Sequence, residues 1–188
     1  MRLFVAIKIP EEIRGVLAAF IKELRPIAPQ AKWVRAENLH VTLKFLGHTE
    51  ETKRSAIEAA LQQVRSPEPV HLDFRGLGFF PSENHPRVFW AGMECSPNLK
   101  VLASDVEHAV HKLGFSLEDR PFTPHLTLAR LEAARMAHAF AHAIAANAAQ
   151  SFGSTITSEF HLIKSSLKPA GAENTTLHTF PFAGASQF

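Results

Sequence analysis

The chain of 188 residues contains no tyrosine and a single cysteine. One thiol, Cys95, can neither close an intramolecular disulfide nor furnish a cysteine-rich zinc site, which fits a reducing compartment. It reads as a small apolar residue. No apolar run approaches the roughly 20 residues that cross a bilayer, and Met1–Pro10 leads into an amphipathic pattern without a small-residue cleavage site. A soluble, cytoplasmic protein with no membrane partner is therefore expected. Charge of one sign is scarce as well: the net charge is +2, which excludes a broad grip on duplex nucleic acid but leaves room for a local phosphate site. No linker or low-complexity segment divides the chain, so residues 1–188 read as one domain, and 46% apolar content suffices for a core.

What is present alternates short apolar runs with amphipathic stretches. Residues 2–9 read as a buried strand, and Pro10 then stands at the first position of a helix whose apolar face is Ile13, Val16, Leu17, Phe20, Ile21 and Leu24. Pro26 stops that helix. A strand is expected over 39–46, closed by Gly47; Thr49 is placed to cap a second helix carrying Ile57, Ala60, Leu61 and Val64. A strand from Val70 precedes a glycine-bearing stretch, RGLGFFPS, read as a turn; RVFWAGME at 87–94 is another strand, and Ser96 with Pro97 opens a third helix carrying Leu99, Leu102, Val106, Val110 and Leu113 and ended by Gly114. Then come a strand over 125–130, a helix over 131–149, and closing strands over 154–167 and 175–182.

One spacing relates several of these elements. Arg2-Leu-Phe-Val-Ala matches Arg87-Val-Phe-Trp-Ala in three of five residues, 85 positions on, and His40 and His125 stand the same distance apart. The strand at Val70 would find its counterpart near Thr155. The chain thus reads as an internal repeat, approximately 1–85 and 86–188, packed about an approximate two-fold axis.

Alternation along a strand puts His40 and Thr42 on one face with Val41 and Leu43 behind them, and likewise His125 and Thr127 with Leu126 and Leu128. Two histidine-x-threonine pairs facing a common cleft make an acid–base site for a phosphate. One neutral imidazole takes a proton from attacking water, one charged imidazole supplies a proton to the departing oxygen, and hydroxyls hold the other oxygens. A composition of this kind yields about 0.6 such pairs by chance, but only about 0.1 when apolar residues must flank each threonine.

ENLHVTLKFLG (37–47) and RPFTPHLTLAR (120–130) resemble the paired motifs of the two-histidine phosphoesterase superfamily, and in particular its RNA 2',3'-cyclic phosphodiesterases, also called 2'-5' RNA ligases. MRLFVAIKIP, PRVFWAG and LIKSSLKPAGAENTTL extend the resemblance over nearly the whole chain. It implies an α+β, bilobal fold with two pseudo-symmetric halves, each an antiparallel sheet with helices packed outside, and a cleft between the lobes. It further implies a hydrolase opening 2',3'-cyclic phosphate ends of RNA or nucleotides to 2'-phosphomonoesters without metal or cofactor, with the reverse 2'-5' ligation as a second activity open to it; a monomer is expected. By the same resemblance His40 is the proton donor, His125 the proton acceptor, and Thr42 and Thr127 the phosphate ligands. Asn174 departs from it, since many relatives carry an aromatic residue there.

Arg130 is a further candidate for phosphate contact, although its parity matches Leu126 and it needs a bulge to reach the cleft. Lys44 shares the parity of His40 and otherwise reads as a solvated lysine. Phe45, Phe79, Phe80 and Phe122 could stack a base, but phenylalanines are more often core. His108 with His111 and His138 with His142 have helical spacing but no third ligand, so they read as solvated faces. Ser165 and Ser166 lack the setting of a nucleophile. Three other readings remain at this point: a module that binds RNA ends without chemistry, a phosphodiesterase acting on a different cyclic or 2'-5' ester, and a metal-dependent phosphatase using the helical histidines.

Overall fold

In the computed structural model, residues 1–66, 68–131, 138–169 and 171–182 are described. Among them nine strands form one antiparallel sheet: β1 (Arg2–Lys8), β2 (Lys32–Trp33), β3 (His40–His48), β4 (Val70–Phe80), β5 (Val88–Cys95), β6 (His125–Arg130), β7 (Ser151–Thr157), β8 (Glu159–Lys168) and β9 (Gly171–Pro181). The helices are α1 (Glu11–Leu24), α2 (Arg54–Leu61), α3 (Asn98–His111) and α4 (His138–Ala146). This is the expected α+β architecture. The sheet runs β7-β4-β5-β6-β3-β1-β8-β9, with the short β2 added to β6.

The motif strands β6 and β3 meet at the centre through one pair, Val41 with Leu126, and a wing of three further strands extends on each side. Each wing draws on both halves of the chain. Strand β4 pairs with β5 and β7, on the wing of the second motif, whereas β8 and β9 complete the wing of the first. The place equivalent to β4 is thus held by β8, not by the segment near Thr155, which is β7. Helices cross over too: α1 lays Phe20 against Phe152 of β7, ring centroids 5.2 Å apart, while α3 reaches β3.

One face of the sheet is sealed by these helices. Most of the apolar faces read from the sequence do the sealing: Ile13, Leu17, Phe20, Ile21 and Leu24 of α1, Ile57 and Leu61 of α2, and Leu99, Leu102, Val106 and Val110 of α3 are buried, whereas Val16, expected on the α1 face, is 46% exposed at the margin of that stripe. Under the second wing Phe79, Phe89 and Phe140 pack with Trp33 in edge and tilted arrangements. The opposite face carries a small apolar patch of its own, Phe4, Ala6 and Ile163, next to the motif residues.

Several local expectations are corrected. Thr49 does not cap α2: its hydroxyl turns back to the Gly47 carbonyl at 3.4 Å, and a 3-10 turn at Glu51–Lys53 precedes the helix. RGLGFFPS is not a turn; its first six residues continue β4, with a bulge at Arg75–Gly76. Glycine is required further along, because a Cβ on Gly78 would overlap the Trp90 ring lying over it. The run 154–167 is divided at Ser158 into β7 and β8, which belong to opposite wings. Residues 132–137 of the fourth helix expected from the sequence lie outside the described residues. The strand match Arg2/Arg87 is one residue out of register. Val41 pairs with Ile7 and Leu126 with Ala91, an offset of 84, so Phe89 faces the core while Phe4 faces the other side.

Candidate active site

Antiparallel pairing about Val41 and Leu126 sets His40 beside Thr127 and Thr42 beside His125. Each imidazole therefore neighbours the other motif's hydroxyl, and all four side chains share the face opposite the helices. All are half-buried. The rings are anchored alike: His40 Nδ1 lies 2.6 Å from the Asn38 carbonyl oxygen and His125 Nδ1 2.8 Å from that of Thr123. A carbonyl only accepts, so Nδ1 donates in both, which leaves Nε2 of each ring free for proton transfer.

Their surroundings differ. The His40 ring stacks on Phe4 with centroids 4.5 Å apart and planes at 29°, so it lies over the electron-rich face of a benzene ring. His125 meets Phe80 at 83° and 4.9 Å. Burial holds the His40 pKa below its ordinary value, and the charge of His125 pushes the same way against the opposing hydrogen bond to Asn38. Two positive imidazoles in one cleft repel. An anion between them relieves that repulsion.

A bulge in each motif strand decides the remaining positions. In β3 Thr42 pairs with Ala6 and Lys44 with the adjacent Val5, leaving Leu43 unpaired; in β6 Thr127 pairs with Trp90 and Ala129 with Phe89, leaving Leu128 unpaired. The parity of the next two residues, Lys44 and Phe45 in one strand and Ala129 and Arg130 in the other, is inverted. Arg130 thereby joins the face of His125 and Thr127, with its side chain exposed. Lys44 leaves that face, and the expectation of a solvated lysine is corrected. Only 3% of its side chain is exposed, and its ammonium donates to Glu107 at 2.8 Å, Glu118 at 2.9 Å and the Ser116 carbonyl at 2.7 Å. Burial alone would lower its pKa, but the two carboxylates outweigh this and raise it.

Of the phenylalanines named as stacking candidates, Phe79 is core and Phe122 packs against the core, whereas Phe45 is 52% exposed on the motif face and Phe80 lies against His125. His108 and His111 each spend Nδ1 on a backbone carbonyl, those of Ser104 and Phe115. Among the described residues no three metal-capable side chains come together. Sequence reasoning missed Asn38 and Thr123, whose carbonyls orient the rings, and Phe4, which supports one of them. Standing two residues before each histidine is the signal that could have revealed the first two. It also missed His161 of β8, buried beside Ala6, with Nδ1 3.0 Å from the Thr179 hydroxyl. Burial, and secondly the charge of Lys8, bring its pKa down to about 4, so at neutral pH this ring is uncharged.

Residues 7–90 and 93–172 match the model of the LigT-like phosphoesterase family. A curated RNA 2',3'-cyclic phosphodiesterase of Archaeoglobus fulgidus is 37% identical over 180 residues, spanning 96% of this chain and 99% of the relative. Its namesake in Methanothermobacter thermautotrophicus is 34% identical over 181 residues, spanning 96% and 98%. A crystal structure from Thermus thermophilus superposes with a TM-score of 0.80 at 33% identity, covering 99% of this chain and 100% of that one. Escherichia coli LigT complexed with 3'-AMP gives 0.76 at 30% identity, covering 96% and 97%. Matched along both halves in sequence and over nearly its full length in structure, the chain belongs to the LigT-like phosphoesterase family.

Proposed function

We propose that this protein hydrolyses 2',3'-cyclic phosphate ends of RNA or nucleotides to 2'-phosphomonoesters, with His40 as proton donor and His125 as proton acceptor. The observation that carries this reading is the pair of imidazoles fixed at Nδ1 by equivalent carbonyls, each with Nε2 free and each beside the other's threonine. Relatives spanning nearly the full chain bear the matching name. Water attacks phosphorus as its proton passes to Nε2 of neutral His125; the bond from phosphorus to the 3' oxygen breaks, and that oxygen takes the proton of charged His40. The product is a 3'-hydroxyl with a 2'-phosphomonoester, and solvent resets the two rings.

Thr42, Thr127 and Arg130 hold the non-bridging oxygens, where charge accumulates in the transition state. The π face of Phe4 beneath His40 favours its cationic form, and the substrate's negative charge offsets the burial that disfavours it. Residues 1–188 act as one catalytic domain of two related halves. The bulges at Leu43 and Leu128, like the anchors Asn38 and Thr123, stand 85 residues apart and support that view.

The test is to incubate the purified protein with a 2',3'-cyclic-ended oligonucleotide in the presence of chelator and locate the phosphate in the product. A 2'-phosphate is expected. A 3'-phosphate, or no opening of the ring, would overturn the proposal.

A further inference from the structure

Beside His40 the sheet edge and the start of α1 enclose a pocket of about 280 Å³, lined by Lys8, Arg14, Asn38, His40, Asn174 and Thr176 among others. Lys8 is the ladder partner of His40 and shares its face. Asn174 and Thr176 come from β9, paired with Ser165 and Ile163, and Asn38 is tied to that strand by a 2.7 Å hydrogen bond to the Ala172 carbonyl. The pocket thus opens directly onto the imidazole that faces the cleft. Its volume equals about nine waters, room for a phosphate with the sugar carbon that bears it.

The charge here is unbalanced. Among the described residues the side chains of Lys8 and Arg14 make no hydrogen bond or ion pair, and Arg14 Nε is buried without an acceptor. Among the described residues the one carboxylate in the lining, Glu37, is already engaged by Arg35 at 2.6 Å. Apart from His40 the described residues of the lining include no aromatic ring to offer a flat surface to a base. Two unpaired cations and the uncharged side chains of Asn174 and Thr176 instead match an oxyanion, which would supply the acceptor that Arg14 lacks.

We propose that this pocket is a second anion site, taking the phosphate on the 5' side of the terminal ribose while the cyclic phosphate lies between His40 and His125. The proposal rests on the cyclic phosphodiesterase reading for the identity of the first phosphate. It makes the enzyme selective for ends that carry a 5' phosphate, whether a terminal monoester or the diester linking the preceding nucleotide.

Binding tests this without requiring turnover. Calorimetry would compare adenosine 2'-monophosphate with adenosine 2',5'-bisphosphate and with the dinucleotide ApA bearing a 2'-phosphate. One added charge-assisted contact is expected to tighten binding about tenfold. Gain with the bisphosphate assigns a terminal phosphate, and gain with the dinucleotide assigns the linking diester. In Lys8→Met and in Arg14→Gln the gain should shrink severalfold, and Lys8, being exposed, can be changed without disturbing the core. Equal affinities for all three ligands, or a gain that both variants retain, would overturn the second site. Tight bisphosphate binding without opening of cyclic ends would leave the anion site standing and defeat the activity instead.

Discussion

The strand from His40 to Phe45 and the strand from His125 to Arg130 follow the same course and then fill equivalent places differently. Both present histidine and threonine to the cleft, both anchor the ring two residues back, and both bulge at the following leucine. Beyond the bulge, the helix face holds Lys44 in one and Ala129 in the other, while the cleft face holds Phe45 in one and Arg130 in the other. In the proposed reaction this symmetry makes a clamp for phosphorus. Asymmetry comes from the neighbours: a π face under His40, and a guanidinium on the side of His125. Proton transfer needs such a difference, since one ring must start charged and the other neutral.

The largest effects should come from breaking the pair. His40→Ala and His125→Ala are each expected to lower turnover of a cyclic-ended oligonucleotide by about 10²–10⁴-fold with the circular dichroism spectrum unchanged. Next come the hydroxyls, where Thr42→Val and Thr127→Val remove equivalent contacts to charged oxygens. Each should cost about tenfold to a hundredfold in kcat/KM, and by similar factors if the clamp is symmetric.

Lys44 sharpens the comparison in another currency, because Ala129 has no such network. Lys44→Met should lower unfolding free energy in urea titration by about 2–3 kcal/mol, less than the roughly 3–5 of a fully buried pair because Glu118 is exposed. Turnover per folded molecule should not change. The Glu107 pKa is lowered, burial opposing and the Lys44 hydrogen bond prevailing, so its contribution is present above the ordinary carboxylate range and is lost as pH falls through the folded value. His161 adds an earlier loss. Its pKa falls from an ordinary 6.5 to about 4 on folding, so protonation of the unfolded chain costs stability progressively across that interval. The smallest effect lies in the His40 titration. Followed by NMR in the free protein, it should fall below the ordinary histidine value and move upward in His125→Gln, which removes the second of the two lowering causes.

Much of the site was legible because it is local. Alternation placed His40 with Thr42 and His125 with Thr127, and the 85-residue spacing tied the two pairs together. Helix faces were legible for the same reason, since Ile13 through Leu24 and Leu99 through Val110 repeat at helical period. What escaped depends on pairing between distant segments. A bulge at Leu43 leaves no mark on HVTLKF, yet it turns Lys44 inward and Phe45 outward, and its twin at Leu128 brings Arg130 to the cleft. Nor does composition show that the chain passes at Ser158 from one wing to the other, or that β2, two residues long, pairs at all. The Arg2/Arg87 match misled because identity was counted without regard to which face each residue takes.

The direction of proton transfer is the claim on which the two regions' difference bears most directly. A cyclic substrate with sulfur in place of the 3' bridging oxygen has a leaving group that needs no protonation, so it separates donor from acceptor. His40→Ala should regain most of its lost rate on that substrate and His125→Ala should not. Rescue of His125→Ala instead, or full activity of either variant on the oxygen substrate, would contradict the account.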